Sequence, residues 1–474
     1  MNRLHPIAIL VFSTAVLKQL GFVFLLGVSN SLFRGQWDIT TIVIGGELLV
    51  TLAIATWRWF FFRYQITPDT ITIERGLFAK KTSHIPRHNI QTIQQRQWFF
   101  FKPLHVLELQ IETSGHDSSK PEAVLPGVPE SVLAQLSLPA TTPFSTPDPE
   151  VRYAINPTDL TEYALTSLGV FPILAAIFWL FGRLDDLLPK TWFRQAQTQL
   201  LALGVFVLVA LGILFLLVGL LISFLREIQR YYHFTLQKND QQLVTERGFF
   251  QRNQVSVTTT RIQALRLNQN VLRQGLKITT IQALTASSAA ADEQDNDLVL
   301  IPVIKTPIAL PTIKGFVDWV PDQLPASTSV PKNTRWRYAR NVLVGNAVAL
   351  AVIFAILWQA QTVIWWVLAL IWLAIAGSLG FYAARQGQMG LSDTLLVAQV
   401  GHLFGRTRYL IPKNKIQALE IRQPILLRHQ LAHVVINVRH GNSNQIVRVN
   451  YLPKAFAKAV WDWYAPTLPN KNLD

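Results

Sequence analysis

Six long apolar runs, arranged in three pairs, constrain this chain more than any other feature. They are Ile7–Val28 with Ile39–Phe60, Tyr163–Phe181 with Leu200–Leu221, and Val342–Trp358 with Val363–Tyr382. Each holds about 17–22 residues, enough for a helix to cross a hydrocarbon core of roughly 30 Å. Buried helices of a soluble protein are the competing reading, but six such runs with so little charge argue against it. Trp57, Trp59, Trp179, Trp192, Trp358 and Trp365 lie at or near run ends, where indole rings favour the bilayer interface. The first run follows a single Arg, is broken by Lys18-Gln19 and is succeeded at once by a second run. It is therefore expected to be a retained span and not a cleaved signal peptide.

Basic residues set the expected orientation. The loops inside the pairs, Ser29–Asp38, Gly182–Gln199 and Gln359–Thr362, carry little net positive charge. The outer flanks carry Arg3, Arg58, Arg63, Arg152, Arg226, Arg230, Arg335, Arg337, Arg340 and Arg385. Both termini and all three polar regions are thus expected on the cytoplasmic side of the inner membrane. The formal net charge of +15 suits an anionic partner, and the bilayer surface accounts for it without invoking nucleic acid.

Each polar region repeats one pattern. YQITPDTITIERGLFAKK begins at Tyr64, YHFTLQKNDQQLVTERGFFQR at Tyr232 and MGLSDTLLVAQVGHLFGRTR at Met389. Gly76 to Gln91 and Gly248 to Gln263 are both 15 residues; Gly401 to Gln417 is 16. A further Gln follows 6 residues later in every copy, at Gln97, Gln269 and Gln423. A shared order at three sites, each after an apolar pair, is an internal repeat.

The texture within each copy is β, with alternating or β-branched segments such as Ile66–Ile73 and Val434–Val438. The shared glycine lies between two strands and is expected to supply a positive φ at a tight turn. Short closing helices are expected at Pro129–Leu138, Thr312–Val320 and Pro453–Tyr464. Pro-rich stretches at Pro139–Pro149 and Val320–Lys332 read as extended spacers. The expected layout is hairpin 1 over 1–62, β-domain and linker 63–150, hairpin 2 over 151–226, β-domain and linker 227–331, hairpin 3 over 332–384 and β-domain 385–474.

A membrane hairpin leading into Glu-Arg-Gly-x-Phe, Ile-Gln and a final Gln, then a closing helix, resembles the bacterial pleckstrin-homology-like domain family. Three such units opening with Arg3-Leu4-His5-Pro6 look like its YdbT-type membrane proteins. The resemblance implies a membrane α plus soluble β fold. Six transmembrane helices would form three hairpins, each followed by a small β-barrel or sandwich with a C-terminal helix. It also implies no enzymatic activity, no cofactor, and as a partner a smaller membrane protein with one such domain. The third copy departs from the pattern, with Gln399-Val400-Gly401 in place of Glu-Arg-Gly.

Candidate contacts with headgroups or a partner cluster after the glycine. Phe78, Phe250 and Phe404 match one another, as do Lys80, Arg252 and Arg406, with Lys81 and Arg408 adjoining. Phenylalanine beside cations can dip into a headgroup region; the alternative is core Phe and a solvated strand edge. The acidic stretch Ala290–Asp297 is expected to repel an anionic surface. Lys18 and Glu47 lie at similar depths, roughly 15 Å and 12 Å from the outer helix ends, so an intramembrane ion pair is geometrically open to them.

Catalytic signals are thin. The chain has no cysteine, which removes thiol catalysis and Cys-ligated metals. It has no phosphate loop, nucleophile elbow or dinucleotide fingerprint. The expectation is a non-enzymatic binding or scaffolding protein, placed by analogy in envelope maintenance or stress defence. The alternative is a transporter or channel component, which predicts several polar residues per span.

Overall fold

The computed structural model describes residues 1–33, 37–76, 80–113, 122–136, 151–167, 174, 205–286, 297–356, 363–423, 430–441 and 443–465. Helices α1 (Ala8–Phe33) and α2 (Trp37–Phe61) cover the first apolar pair. The short α3 (Ser131–Leu136) and α4 (Pro157–Leu165) follow, then α5 (Val205–Tyr231), α6 (Val271–Gly275) and α7 (Thr306–Lys314). Helices α8 (Trp336–Ile356) and α9 (Val363–Gln386) cover the third pair, and α10 (Lys454–Tyr464) ends the described chain.

Among the described residues, four helical stretches are long and apolar enough to cross a membrane: Asp38–Phe61, Gly212–Tyr231, Lys332–Ile356 and Val363–Gln386. Ala8–Gly21 is a shorter apolar stretch, and most of the expected span Tyr163–Phe181 lies outside the described residues. The count among described residues is therefore four, against six expected.

The expectation is a separate small β-barrel or sandwich per copy; the strands are instead shared between copies. The first sheet is β1 (Asn2–Arg3), β2 (Arg63–Ile66), β3 (Thr70–Arg75) and β4 (Lys81–Pro86), in that order. Next come β5 (Ile90–Trp98), β6 (Val106–Thr113) and β7 (Ala123–Pro129) of copy one, then β8 (Val151–Ala154), β9 (Thr235–Asn239), β10 (Gln242–Arg247) and β11 (Gln251–Thr258) of copy two. These seven strands form one sheet, ordered β7-β6-β5-β11-β10-β9-β8. Copy two continues with β12 (Ile262–Asn270), β13 (Ile278–Thr285) and β14 (Leu298–Lys305). Copy three opens with β15 (Ser327–Ser329), β16 (Gln388–Leu391), β17 (Leu395–His402) and β18 (Gly405–Pro412). They form a second seven-stranded sheet, β14-β13-β12-β18-β17-β16-β15. Copy three ends on a three-stranded sheet of β19 (Ile416–Arg422), β20 (Leu431–His440) and β21 (Ser443–Pro453).

Each copy thus contributes a set of four strands and a set of three, and in copies one and three the two sets pack on one core. In copy one, Ile71 and Ile73 of β3 alternate with outward Thr70, Thr72 and Glu74. They meet Leu107, Leu109 and Ile111 of β6 and Leu133 of α3. In copy three, Leu396 and Ile411 meet Val434, Ile436 and Val449, with Ala457 and Val460 of α10 as the lid. Fully burying each of these aliphatic side chains contributes about 1.5–3 kcal/mol. Among the described residues no sheet closes into a barrel, and in copies one and two the three-stranded sheet pairs its edge strand with the next copy: β5 with β11, and β12 with β18.

The strand before each apolar pair was not foreseen. β1 pairs with β2 through Asn2↔Tyr64, and β15 pairs with β16 through Thr328↔Met389. In copy two Ile155 N donates to Phe234 O at 3.0 Å. The chain segments that flank each apolar pair are thus hydrogen-bonded to each other. Ser327–Ser329 falls in the stretch expected to be a plain spacer. The closing helix of copy two is α7, several residues before the expected Thr312–Val320, with Pro307 in its first turn, where the missing N–H costs nothing.

Compactness divides the chain within copy two. One unit comprises Met1–His116, Pro121–Thr235 and Val244–Ser256; the other is built on Leu236–Leu243 and Val257–Asp474.

Candidate functional site: the seams between repeats

Both seams use the same register. In the first, Gln251↔Trp98 runs through Arg252↔Gln97 to Ser256↔Ile93. In the second, Asn270↔Gly405 runs through Gln269↔Arg406 to Leu265↔Leu410. The final Gln of one copy therefore stands opposite the post-glycine cation of the next.

That Gln is buried, and its Nε2 holds two partners in its own copy. Gln97 Nε2 donates to Val106 O at 3.3 Å and to Glu130 Oε1 at 2.6 Å. Gln269 Nε2 donates to Ile278 O at 2.8 Å and Thr306 Oγ1 at 2.9 Å, tying strand end to closing helix. Gln269 Oε1 accepts from Arg406 Nε at 2.8 Å, and Arg406 Nη1 donates to Gln386 Oε1 at 3.2 Å. Arg408 donates twice to Gln399 Oε1, at 3.0 and 2.7 Å. Burial, and then the neighbouring Arg406, pull the Arg408 guanidinium down to about 10. Burial likewise lowers Arg406. Arg252 pairs with Glu246.

Lys80, the copy-one counterpart, pairs with Glu74 at 2.9 Å but stays 62% exposed. Lys81 is exposed at the start of β4, and Phe78 lies outside the described residues. Among the post-glycine cations, Arg406 thus pairs across the second seam, while Arg252 pairs with Glu246 and Arg408 with Gln399 of their own copies. This role was missed in the sequence, although the matched spacing of Gln and cation was its signal.

The aromatic residues behave otherwise. Phe250 is 47% and Phe404 57% exposed. Each accepts a hydrogen bond through its carbonyl from the preceding copy: Phe99 N to Phe250 O at 2.8 Å, Val271 N to Phe404 O at 3.0 Å. Phe99, Val271 and Leu272 are exposed as well, so each seam ends in an apolar tip built from two copies.

These tips lie beside the ends of the apolar helices. Gly248 N donates to Tyr232 O at 3.0 Å, and Phe249 N to Gln229 O at 3.1 Å, at the end of α5. Gly248 has φ +112°, as the turn requires, and a Cβ there would lie 2.1 Å from Gln251 O. Gly401 departs from the expectation of positive φ: it lies inside β17, and a Cβ would come within 2.0 Å of Ala383 O on α9. There the glycine serves close strand–helix approach. Val400, in place of Arg75 and Arg247, packs on the copy-three core. Arg247 instead lies 5.2 Å over the Tyr231 ring.

In copy one the equivalent place is a cavity of about 540 Å³, lined by Phe12, Trp57, Phe61, Arg58, Arg75 and Lys81. Three cations border an otherwise apolar wall there.

Two further expectations are corrected. Lys18 is exposed on α1, whereas Glu47 Oε1 is buried with no hydrogen-bond partner among the described residues, so no ion pair joins them. Of the acidic stretch Ala290–Asp297, positions 290–296 lie outside the described residues, while Asp297 is buried, pairs with Arg266 and lies 2.8 Å from His440 Nε2. Arg266 in turn donates to Gln282 Oε1 at 2.8 Å in the second seven-stranded sheet.

The family model of the bacterial PH domain matches residues 13–138, 168–309 and 339–467, and the chain belongs to that family. Over 503 aligned positions it is 24% identical to the transmembrane protein YdbT of Bacillus subtilis (strain 168), covering 98% of each chain. No solved structure matches it.

Proposed function

We propose that this protein is a non-enzymatic, multi-pass scaffold of the cytoplasmic membrane. Six spans form three hairpins, and both termini and all three PH-like repeats face the cytoplasm. The seams weld the repeats into a platform, and the apolar tips seat that platform on the bilayer. The observation that carries this reading is the position of Phe249 and Phe250: both are exposed, and Phe249 N is hydrogen-bonded to Gln229 O at the end of α5. Aromatic side chains at that level favour the membrane interface. The cavity bordered by Arg58, Arg75 and Lys81 suits an anionic lipid headgroup, with its chains against Phe12, Trp57 and Phe61.

The test exploits the absence of cysteine. A spin label at Phe250→Cys in the full chain, reconstituted in anionic vesicles, is expected to collide with oxygen more than with a water-soluble nickel chelate. Preferential nickel collisions would place the tip in water and remove the seating role. A cysteine at Asn444 is expected to react with an impermeant maleimide in inverted membrane vesicles and not in intact cells.

A second reading, a transport role, is favoured by one observation. Glu47 Oε1 and Thr51 Oγ1, one turn apart on α2, are both buried without hydrogen-bond partners among the described residues. A buried ionisable group at membrane depth is costly unless function retains it.

A further inference from the structure

The repeat pattern leaves two edges open, and they are complementary. Among the described residues β4 ends the first sheet and β19 ends the last, each with one neighbour only. β4 is the counterpart of β11 and β18, which are added to β5 and β12 of the preceding copy. β19 is the counterpart of β5 and β12, which receive the next copy. The chain therefore carries one unused donor strand and one unused acceptor strand of a joint it already makes twice.

Gln423 occupies the acceptor position in copy three. It corresponds to Gln97 and Gln269, and it is the Oε1 of Gln269 that accepts from Arg406 of the next copy. The Oε1 of Gln423 is the equivalent acceptor for a cation on an added strand. On the donor side Lys80 corresponds to Arg252 and Arg406, yet is largely exposed. Nothing in β4 blocks pairing. Its terminal Pro86 matches Pro412 of β18, a strand that pairs on both sides.

We propose that two copies of this chain join head to tail by adding β4 of one copy to β19 of the next, in the register of the internal seams. That register sets Gln423 opposite Lys80, Ile421 opposite Thr82 and Glu420 opposite Ser83. Arg422 then faces Lys81, a like-charge pair that would cost stability if unrelieved. Glu420, which holds Arg422 at 2.7 Å, is diagonal to Lys81 and offsets it. The contact is heterologous, so it extends to further copies or closes into a ring.

The experiment uses full-length chains in native membranes. Two differently tagged populations, one Ile421→Cys and one Thr82→Cys, are co-expressed and treated with a short bis-thiol cross-linker. Gln95→Cys/Gln254→Cys, at the equivalent register of the first seam, reports that the chain is folded by cross-linking internally. The expected result is a mixed-tag dimer that is lost when Thr82→Cys is replaced by Gln65→Cys on β2. The double variant Ile421→Cys/Thr82→Cys is expected to shift into a ladder of multimers. No mixed-tag product, with the internal control intact, would overturn the proposal. So would a double variant that cross-links only within its own chain, or an Ile421→Cys chain that captures a different protein in place of its copy. The spin-label experiment at Phe250 is independent of every one of these outcomes.

Discussion

Arg406 Nε donates to Gln269 Oε1 at 2.8 Å, although the two residues are 137 positions apart and belong to different repeats. The same Gln holds the closing helix of its own copy through Thr306. One side chain therefore links strand end, closing helix and neighbouring repeat. A cation that resembles a membrane contact in the sequence is committed to an internal joint.

Removing that joint should be measurable as coupling. Gln269→Ala and Arg406→Ala are each expected to destabilise the second unit by about 1–3 kcal/mol, because each strands a buried polar partner. The double variant should cost less than the sum, with a coupling of about 0.5–3 kcal/mol. Pulse proteolysis of detergent-solubilised protein reads both quantities. Strict additivity would mean that the two side chains act independently.

Asp297 offers a larger effect. It is buried against Arg266 and His440, and removing one partner of a buried pair leaves the other uncompensated. Asp297→Ala is expected to cost about 3–5 kcal/mol. A change of only a few tenths, the range of a surface substitution, would contradict the buried assignment.

The response to acid should carry a His433 component. Burial, and then Arg448, lower its pKa below the ordinary value. Its Nδ1 accepts from Tyr451 N at 3.0 Å, and Tyr451 sits at φ +59°. The folded state thus holds the neutral ring, and below about pH 6.5 the unfolded chain binds more protons. Stability should fall as pH drops from about 6.5 toward the lowered folded value and level off below it. His402 shifts in the same direction, through burial and Arg266. Thermal melts across that window should show a shallower slope for His433→Asn than for the unsubstituted chain. An unchanged slope would remove His433 as a contributor.

The glycines separate two requirements that look alike in sequence. Gly248→Ala meets both a positive φ and a backbone oxygen, whereas Gly401→Ala meets no positive φ but the α9 backbone at Ala383 and the Gln386 side chain. Both should destabilise. A D-alanine introduced by semisynthesis should rescue position 248 in φ alone, and should do nothing for position 401. Equal behaviour at the two sites would contradict the distinction.

Much of the architecture was legible because it rests on long or repeated signals. The apolar pairs, the β texture and the threefold order all follow from hydropathy and spacing. The closing helix of copy three was found to within a residue, since Pro453 caps α10 and Val460 marks its buried face. What escaped depended on short or non-local features. β1, β8 and β15 are two to four residues long and share no motif, so pairing across a hairpin had no sequence signal. The seams join residues more than a hundred positions apart, and strand edges carry no label for which partner takes them. The spacing from the shared glycine to Gln97 and Gln269 was visible, but its meaning depended on the register.

The central claim is that PH-like repeats are joined in shared sheets, and one measurement tests it most directly. Asn268 and Thr407 are cross-strand neighbours in the second seam. In the cysteine-free chain, Asn268→Cys/Thr407→Cys is combined with a protease site introduced within residues 287–296. After oxidation in membranes and cleavage, the two fragments are predicted to migrate as one species that separates on reduction. Fragments that separate without reduction, in protein that remains folded, would contradict the shared sheet.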